Sequence, residues 1–348
     1  MKRILFISSL LFSLNLLAQD STMNMLTKGM NNKTSDAKLP VKVFDSEKLI
    51  NANTTELIGK GKMDSRVVHN FSDIAGTGGG LTNFFGLDNA ADIKIGFEIG
   101  LGHRLDVIAA RIRGAESFQS SFSRVQKIWE LGFKYKLLEQ KENDPKHPLS
   151  LALFANTAVS SMKALSFSPN IADSAETNFK SFSERMSQVV QLIIARKSGK
   201  VSLQVSATYV HRNRIIPGDD QGIFALGGAV RIPLTKNFAF IVDYFHVFHS
   251  QSGKDKFKST NTPVYNVNNA PPPYKGTHFY DPLGIGFEIL TAGHVFHLNF
   301  TNATEILENR FIPRTVSSWG KGQYRWGFTI SRTFVLWKEK NTMTPVIK

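Results

Sequence analysis

The sequence predicts an all-β fold: a closed antiparallel transmembrane β-barrel of about twelve strands, with short periplasmic turns and long external loops. Three observations carry that expectation. Apolar and polar residues alternate with period two in segment after segment from Lys60 onward. The connections between those segments alternate short and long. Charged residues recur on the polar faces of segments whose other faces are apolar. Successive side chains of a strand point to opposite faces, so each such segment has one apolar and one polar side. Composition alone does not separate this fold from a soluble protein. The chain has 348 residues, 42% of them hydrophobic, with no Cys and a formal charge of +14. Its mean hydropathy is −0.15, because the two faces of each strand cancel in the average. The absence of Cys excludes a disulfide framework and a Cys nucleophile.

Residues 1–18 read as a secretory signal peptide. Lys2 and Arg3 form a basic start, an apolar run follows to Leu17, and small Ala18 precedes polar Gln19 and Asp20. The run is short for a spanning helix, which needs about 20 apolar residues. Removal of the leader takes Lys2 and Arg3 from the positive balance. Residues 19–58 are polar and poorly periodic apart from an apolar piece near 39–44, and are expected to form a flexible periplasmic extension. Residues 59–334 hold the barrel, and 335–348 a short tail.

Within the barrel the clearest segment is Val201, Leu203, Val205, Ala207 and Tyr209 against Ser202, Gln204, Ser206 and Thr208. Asp92 to Ile99, Trp129 to Leu137, Leu283 to Ile289, Phe296 to Thr301 and Arg325 to Ser331 alternate in the same way. Weaker segments lie near 60–71, 105–113, 149–159, 183–196, 221–232 and 238–248, and those at 105–113 and 221–232 alternate poorly. Each is close to the roughly 9–11 residues that cross a bilayer at a tilt. Long connections at 72–90, 114–124, 160–182, 212–220, 248–281 and 302–322 take turns with short ones. Short turns on one side and long loops on the other are the habit of transmembrane barrels. A soluble β-sandwich is the alternative fold, but it gives no reason for such segregation.

The polar faces carry Lys94, Glu98, Glu130, Lys134, Lys136, Gln204, Asp243, Glu288, His297 and Arg325. In a soluble sheet core these charges would be costly unless paired. In a membrane barrel they are candidate lining residues of a wetted lumen. Trp129, Tyr135, Tyr209, Tyr244, Tyr324, Trp326 and Phe334 lie mostly near strand ends, as interfacial girdles do.

Several stretches also carry a family resemblance, in order along the chain: Val68-His-Asn-Phe-Ser-Asp-Ile74, Asn83-Phe-Phe-Gly-Leu-Asp-Asn-Ala90, Gln191-Leu-Ile-Ile-Ala-Arg-Lys197, Thr208-Tyr-Val-His-Arg-Asn213, Gly293-His-Val-Phe-His-Leu-Asn-Phe-Thr-Asn302 and Trp319-Gly-Lys-Gly322. Over roughly 49–334 the chain resembles an uncharacterised family of membrane-bound β-barrels from Gram-negative bacteria. The resemblance implies an outer-membrane barrel and no particular activity.

Motifs for chemistry are weak. His246 with His249, and His294 with His297, stand three apart, so on a strand each pair points to opposite faces and cannot share a metal. The Gly-rich run at 76–80 lacks the Lys and Ser/Thr of a phosphate loop. Ser206, His211, His297 and Asn299 supply residue types of a hydrolase, but no Gly-x-Ser-x-Gly sequence accompanies them. No cofactor and no metal site is expected. Dispersed basic residues point to an anionic membrane surface, lipopolysaccharide or small anions rather than nucleic acid. The expected function is a small pore for ions or small solutes in the outer membrane. The alternative is a non-conducting scaffold that binds an unknown protein partner through external loops or the N-terminal extension. A membrane hydrolase ranks third.

Overall fold

Twelve antiparallel strands close into a barrel in which each strand pairs with its neighbours in sequence and β1 closes on β12. They are β1 (Lys62–Asp73), β2 (Ala90–Gly100), β3 (Leu105–Gly114), β4 (Lys127–Leu138), β5 (Ser150–Ser160), β6 (Met186–Ser198), β7 (Val201–Arg212), β8 (Gly222–Pro233), β9 (Phe238–Phe248), β10 (Leu283–Leu290), β11 (His294–Thr301) and β12 (Arg325–Val335). The structure is a computed structural model and describes residues 38–76, 79–88, 90–114, 127–164, 177–215, 218–258 and 278–338. The signal peptide, residues 19–37 and most of the tail lie outside the described residues. No helix among the described residues is long and apolar enough to cross a membrane.

Connections alternate in length around the whole barrel. Two residues join β6 to β7 and three join β10 to β11, while β11 to β12 takes the stretch 302–324. Two short helices of the described residues lie in the long loops: α1 (Gln251–Lys258) between β9 and β10, and α2 (Glu308–Arg314) between β11 and β12.

The wall is inverted relative to a soluble protein. Its outer face is apolar and exposed: Trp129, Leu131, Phe133 and Tyr135 on β4, Leu203 and Val205 on β7, Phe224 and Leu226 on β8. Its inner face is buried and often charged; Arg325 and Lys134 are among the largest fully buried side chains. A contiguous exposed apolar belt of this kind is unfavourable in water. In hydrocarbon it costs nothing, and the closed sheet leaves no unpaired edge.

Among the described residues, two stretches of the chain occupy the barrel interior beside these polar faces. The first is the segment from Pro40 to Lys60, expected to be part of a free extension. Instead, Val43, Phe44, Leu49, Ile50, Ala52 and Ile58 are buried. All but Ile58 join a cluster with Phe154, Ile193, Ile223, Ile241 and Phe245 of the inner wall. Burying a Leu or Phe side chain contributes roughly 1.5–3 kcal/mol, so a polar stretch carrying these residues does not stay in water when an apolar inner wall is beside it. The second is the loop after β11, which turns inward and buries every residue of α2. Phe311 of α2 meets Phe245 with ring centroids 5.5 Å apart. Ala110, Ile112, Ile128 and Ala158 pack on Leu307.

Glycine makes room for the inserted segment. A Cβ on Gly284 would lie 2.7 Å from Ile50 Cγ2 and 2.7 Å from Asp243 Oδ1. At the foot of the inward loop, Gly322 caps a single 3-10 turn at φ 68°, a left-handed conformation that favours glycine.

Candidate functional site

The ten residues singled out on the polar faces all lie on the inner side of the wall, on β2, β4, β7, β9, β10, β11 and β12. Nine are buried, and Glu98 is half-buried. The structure groups them by what they hold. Lys134 Nζ donates to the carbonyls of Glu47 (3.0 Å) and Glu56 (3.1 Å) and to Glu98 (3.2 Å). Lys94 pairs with Glu130 at 2.5 Å, and Glu130 also accepts from Asn156 at 2.9 Å. Lys136 stands 3.6 Å from Glu56. Gln204 Nε2 donates to the Asn53 carbonyl at 2.6 Å. The contacts of Lys134 with Glu47 and Glu56, of Lys136 with Glu56 and of Gln204 with Asn53 run from the wall to the inserted segment, while Lys94, Glu98, Glu130 and Asn156 bridge wall strands.

Asp243 is the firmest of these anchors. Its carboxylate accepts from the backbone N–H groups of Asn51 (2.6 Å) and Ala52 (3.0 Å) and from the Asn51 side chain (2.9 Å). A basic partner is the usual expectation for such an acid; here the tip of the inserted turn takes that place. On the other side Glu288 accepts from Arg231 Nε at 2.6 Å and faces His297 Nε2 at 3.2 Å. Arg231 also reaches Asp45 of the segment at 2.6 Å. Arg325 pairs with Asp73 (2.8 Å) and donates to Ser317 Oγ (2.7 Å), which fastens the inward loop to β1 and β12.

The two insertions touch each other. Lys48 Nζ lies 2.5 Å from Glu308 Oε1, and Asn53 donates to the same oxygen at 3.1 Å. A buried pair of this kind is costly to break because the remaining charge has no water to turn to. Toward the loop end, Asp219 accepts from both Arg212 (3.0 Å) and Arg314 (2.7 Å). Burial alone would raise its carboxyl, but these two guanidiniums outweigh that and hold it below the usual carboxylate range.

Sequence reasoning missed the partners: Asp45, Glu47, Lys48, Asn51, Asn53 and Glu56 in the segment, and Glu308, Arg310 and Arg314 in the loop. The one signal was the apolar content of residues 39–58, which is high for a free extension.

The weaker motifs are not assembled into chemistry. His246 is exposed, at 54% of its side chain, while His249 is buried at 5%. No group of His, Cys, Asp and Glu suited to a metal occurs among the described residues. Ser206 and His211 stand five apart on β7 and face opposite sides, and His297 is committed to Glu288. Two of the five residues of the Gly-rich run and most of the loop at 250–281 lie outside the described residues.

Comparison with solved structures gives membrane barrels at low identity. The KdgM porin is 8% identical, over 78% of this chain and 99% of that one, with a TM-score of 0.41. An outer membrane channel from Pseudomonas putida F1 is 9% identical, over 82% and 100%, with a TM-score of 0.45. The Acinetobacter baumannii outer membrane protein Omp33 is 7% identical, over 79% and 99%, with a TM-score of 0.35. No curated protein sequence matches the chain. The matching family pattern spans residues 44–334, which takes in most of the inserted segment and the twelve strands short of the last residue of β12, and by it the chain belongs to the family of the membrane-bound beta-barrel domain DUF5777.

Proposed function

We propose that the protein is an outer-membrane pore for ions or small solutes, described here in a closed state. One observation carries this reading. The twelve-strand wall is complete without the segment that fills it. Among the described residues, backbone-to-backbone bonds join 40–60 to the rest of the protein at its two ends, through the bridges Pro40 with Lys141 and Lys60 with Gly100, Val41 N–H to the Gln140 carbonyl and Lys62 N–H to the Gly59 carbonyl. Its other polar contacts are side-chain hydrogen bonds and ion pairs, which can be broken and remade without opening the sheet. The glycine at 284 keeps a path for the segment that a larger residue would block. Withdrawal of the segment would leave Asp243, Lys134, Lys136 and Gln204 facing water in a wall of twelve strands, wider than the small barrels filled by wall side chains alone.

Planar bilayer recording of the full chain tests this. Discrete, brief openings are expected, and Asp243→Asn, which loosens the inserted turn, is expected to open more often at the same unit conductance. A variant that keeps the folded, heat-sensitive gel mobility and stays silent overturns the pore.

A second reading, a non-conducting scaffold, draws on a different feature. Leu81, Phe84, Phe85 and Leu87 in the β1–β2 loop are exposed, with Phe84 at φ 46° and Phe85 at φ 53°. Left-handed conformations are strained for bulky residues, and strain that presents apolar side chains outward suits a partner contact. Whole-cell cross-linking through this loop, with capture abolished by Phe84→Ser and Phe85→Ser, is the outcome that would favour it.

A further inference from the structure

The barrel's charges are not spread evenly between its two ends. Five short turns join the strands at one end, at residues 101–104, 139–149, 199–200, 234–237 and 291–293. Four of these turns carry an exposed cation: Arg104, Lys146, Lys200 and Lys236. Arg196 near the end of β6 and Arg332 near the end of β12 are exposed at the same end. None of these six side chains makes an ion pair among the described residues.

Most acid at this end is already engaged. Asp45 meets Arg231 at 2.6 Å and Lys42 at 3.8 Å, Glu139 stands 3.6 Å from Lys136, and Asp144 meets His147 at 2.8 Å. Glu142 is the exposed carboxylate that remains there among the described residues. Residues 19–37 and 339–348 bring no excess of acid, with two Asp against two Lys and one Glu against two Lys. At the opposite end acids and guanidiniums pair: Arg310 with Asp92, Arg325 with Asp73, and Asp219 with both Arg212 and Arg314.

Two of the six cations lie on the lipid side of the wall. Arg196 follows exposed Leu192 and Ile194 and alternates with buried Ile193 and Ala195. Arg332 stands between exposed Ile330 and Phe334, next to buried Ser331, with its guanidinium carbon 5.2 Å from the Phe334 ring centre. Alternate residues of a strand share a face, so both cations stand on the face that carries the apolar belt. They lie two and three residues from their strand ends, within about 10 Å of the barrel's edge. Exposed Leu101, Leu234, Leu336 and Trp337 continue the apolar surface to the turns. Cations on apolar stems among Leu and Trp suit a membrane interface. A macromolecule arriving through water would meet the turns but not Arg196 and Arg332. A headgroup of the surrounding leaflet meets both.

We infer that the short-turn end of the barrel is a binding surface for anionic phospholipid. Arg196 and Arg332 on the wall, with Arg104, Lys146, Lys200 and Lys236 at the turns, take the headgroup phosphates. A basic residue beside an anionic leaflet contributes about fivefold to its binding. Basic residues dispersed along the sequence are thereby gathered at one leaflet. The surface stands whether or not the barrel conducts.

Native mass spectrometry of the full, detergent-folded chain with added phosphatidylglycerol or phosphatidylcholine tests it. Phosphatidylglycerol is expected to bind at least about tenfold more tightly. Arg196→Gln and Arg332→Gln are each expected to weaken phosphatidylglycerol about fivefold. Arg104→Gln, Lys146→Gln, Lys200→Gln and Lys236→Gln combined are expected to remove most of the preference. Lys321→Gln, at an exposed lysine of the loop end, is expected to leave it unchanged. Gel mobility of unheated samples confirms that each variant is folded. If Arg332→Gln does not fold, Arg196→Gln carries the same expectation. Equal affinity for the two lipids, rim variants that bind like the parent, or an equal loss with Lys321→Gln overturns the inference. Soluble polyglutamate bound more tightly than phosphatidylglycerol also overturns it and assigns the surface to an acidic polymer. Lipid preference in a barrel that stays silent in bilayers upholds the surface and removes the pore, so the two proposals fail separately.

Discussion

Replacing Asp243 with Asn should loosen the inserted segment without removing any volume. The carboxylate accepts three hydrogen bonds from residues 51 and 52, two of them backbone N–H groups on one oxygen. The amide keeps one acceptor oxygen, loses the charge, and sets an NH2 group against at least one of the donors. Hydrogen bonds to a charged group contribute about 1.5–3 kcal/mol each. Weakening two of three therefore destabilises the seated segment by about 3 kcal/mol, close to a hundredfold in its release equilibrium. The chain has no Cys, so a single Thr55→Cys gives a clean reporter at a fully buried position of the segment. A water-soluble maleimide should label that thiol slowly in the parent and about 10²-fold faster beside Asp243→Asn, with the barrel still folded by gel mobility. A rise of less than threefold in folded protein would refute the claim that this carboxylate holds the segment.

Two further outcomes follow from the wall and the loop end. Leu131 on β4 is 60% exposed, and Leu131→Arg should cost about 2–4 kcal/mol of folding stability in vesicles if that face meets hydrocarbon; a loss within about 0.5 kcal/mol, as at a water-exposed site, would refute the lipid-facing assignment. His249, stacked on Phe279 with centroids 4.3 Å apart, has its imidazole lowered by burial to about 4. Between the ordinary value of about 6.5 and 4 an opened loop takes up a proton that the closed loop refuses, so acidification through that window should destabilise the loop by about 1.4 kcal/mol per unit at most. Hydrogen exchange at residues 278–281 from pH 7 to 4 measures it, and a pH dependence left unchanged by His249→Phe would show that another group is responsible.

The weak strands explain how much of the fold was legible. Segments at 105–113 and 221–232 alternate poorly, yet they form β3 and β8 with full ladders on both sides. Their inner faces carry Ala110 and Ile112, or Ile223, Ala225 and Ala229, because those faces meet Leu307 of the loop or Val43 and Phe44 of the segment. An apolar filling needs an apolar lining, and that blurs the period-two pattern at the places where the interior is packed. The ten polar-face residues were found because parity along a strand fixes the side on which each one sits. Their partners were not, since Asn51 and Asp243, or Lys48 and Glu308, are separated by 192 and 260 residues and no local pattern links them.

By itself the sequence indicated the wall: about twelve strands, their antiparallel pairing, the long and short connections and the apolar outer belt. Each of these follows from residue alternation and spacing, which act between near neighbours. Only the tertiary structure decided what fills the barrel. That outcome depends on whether a stretch with scattered apolar residues finds a complementary inner surface, and on whether buried charges on distant strands find partners in it. Both are set by positions that come together only after the sheet has closed.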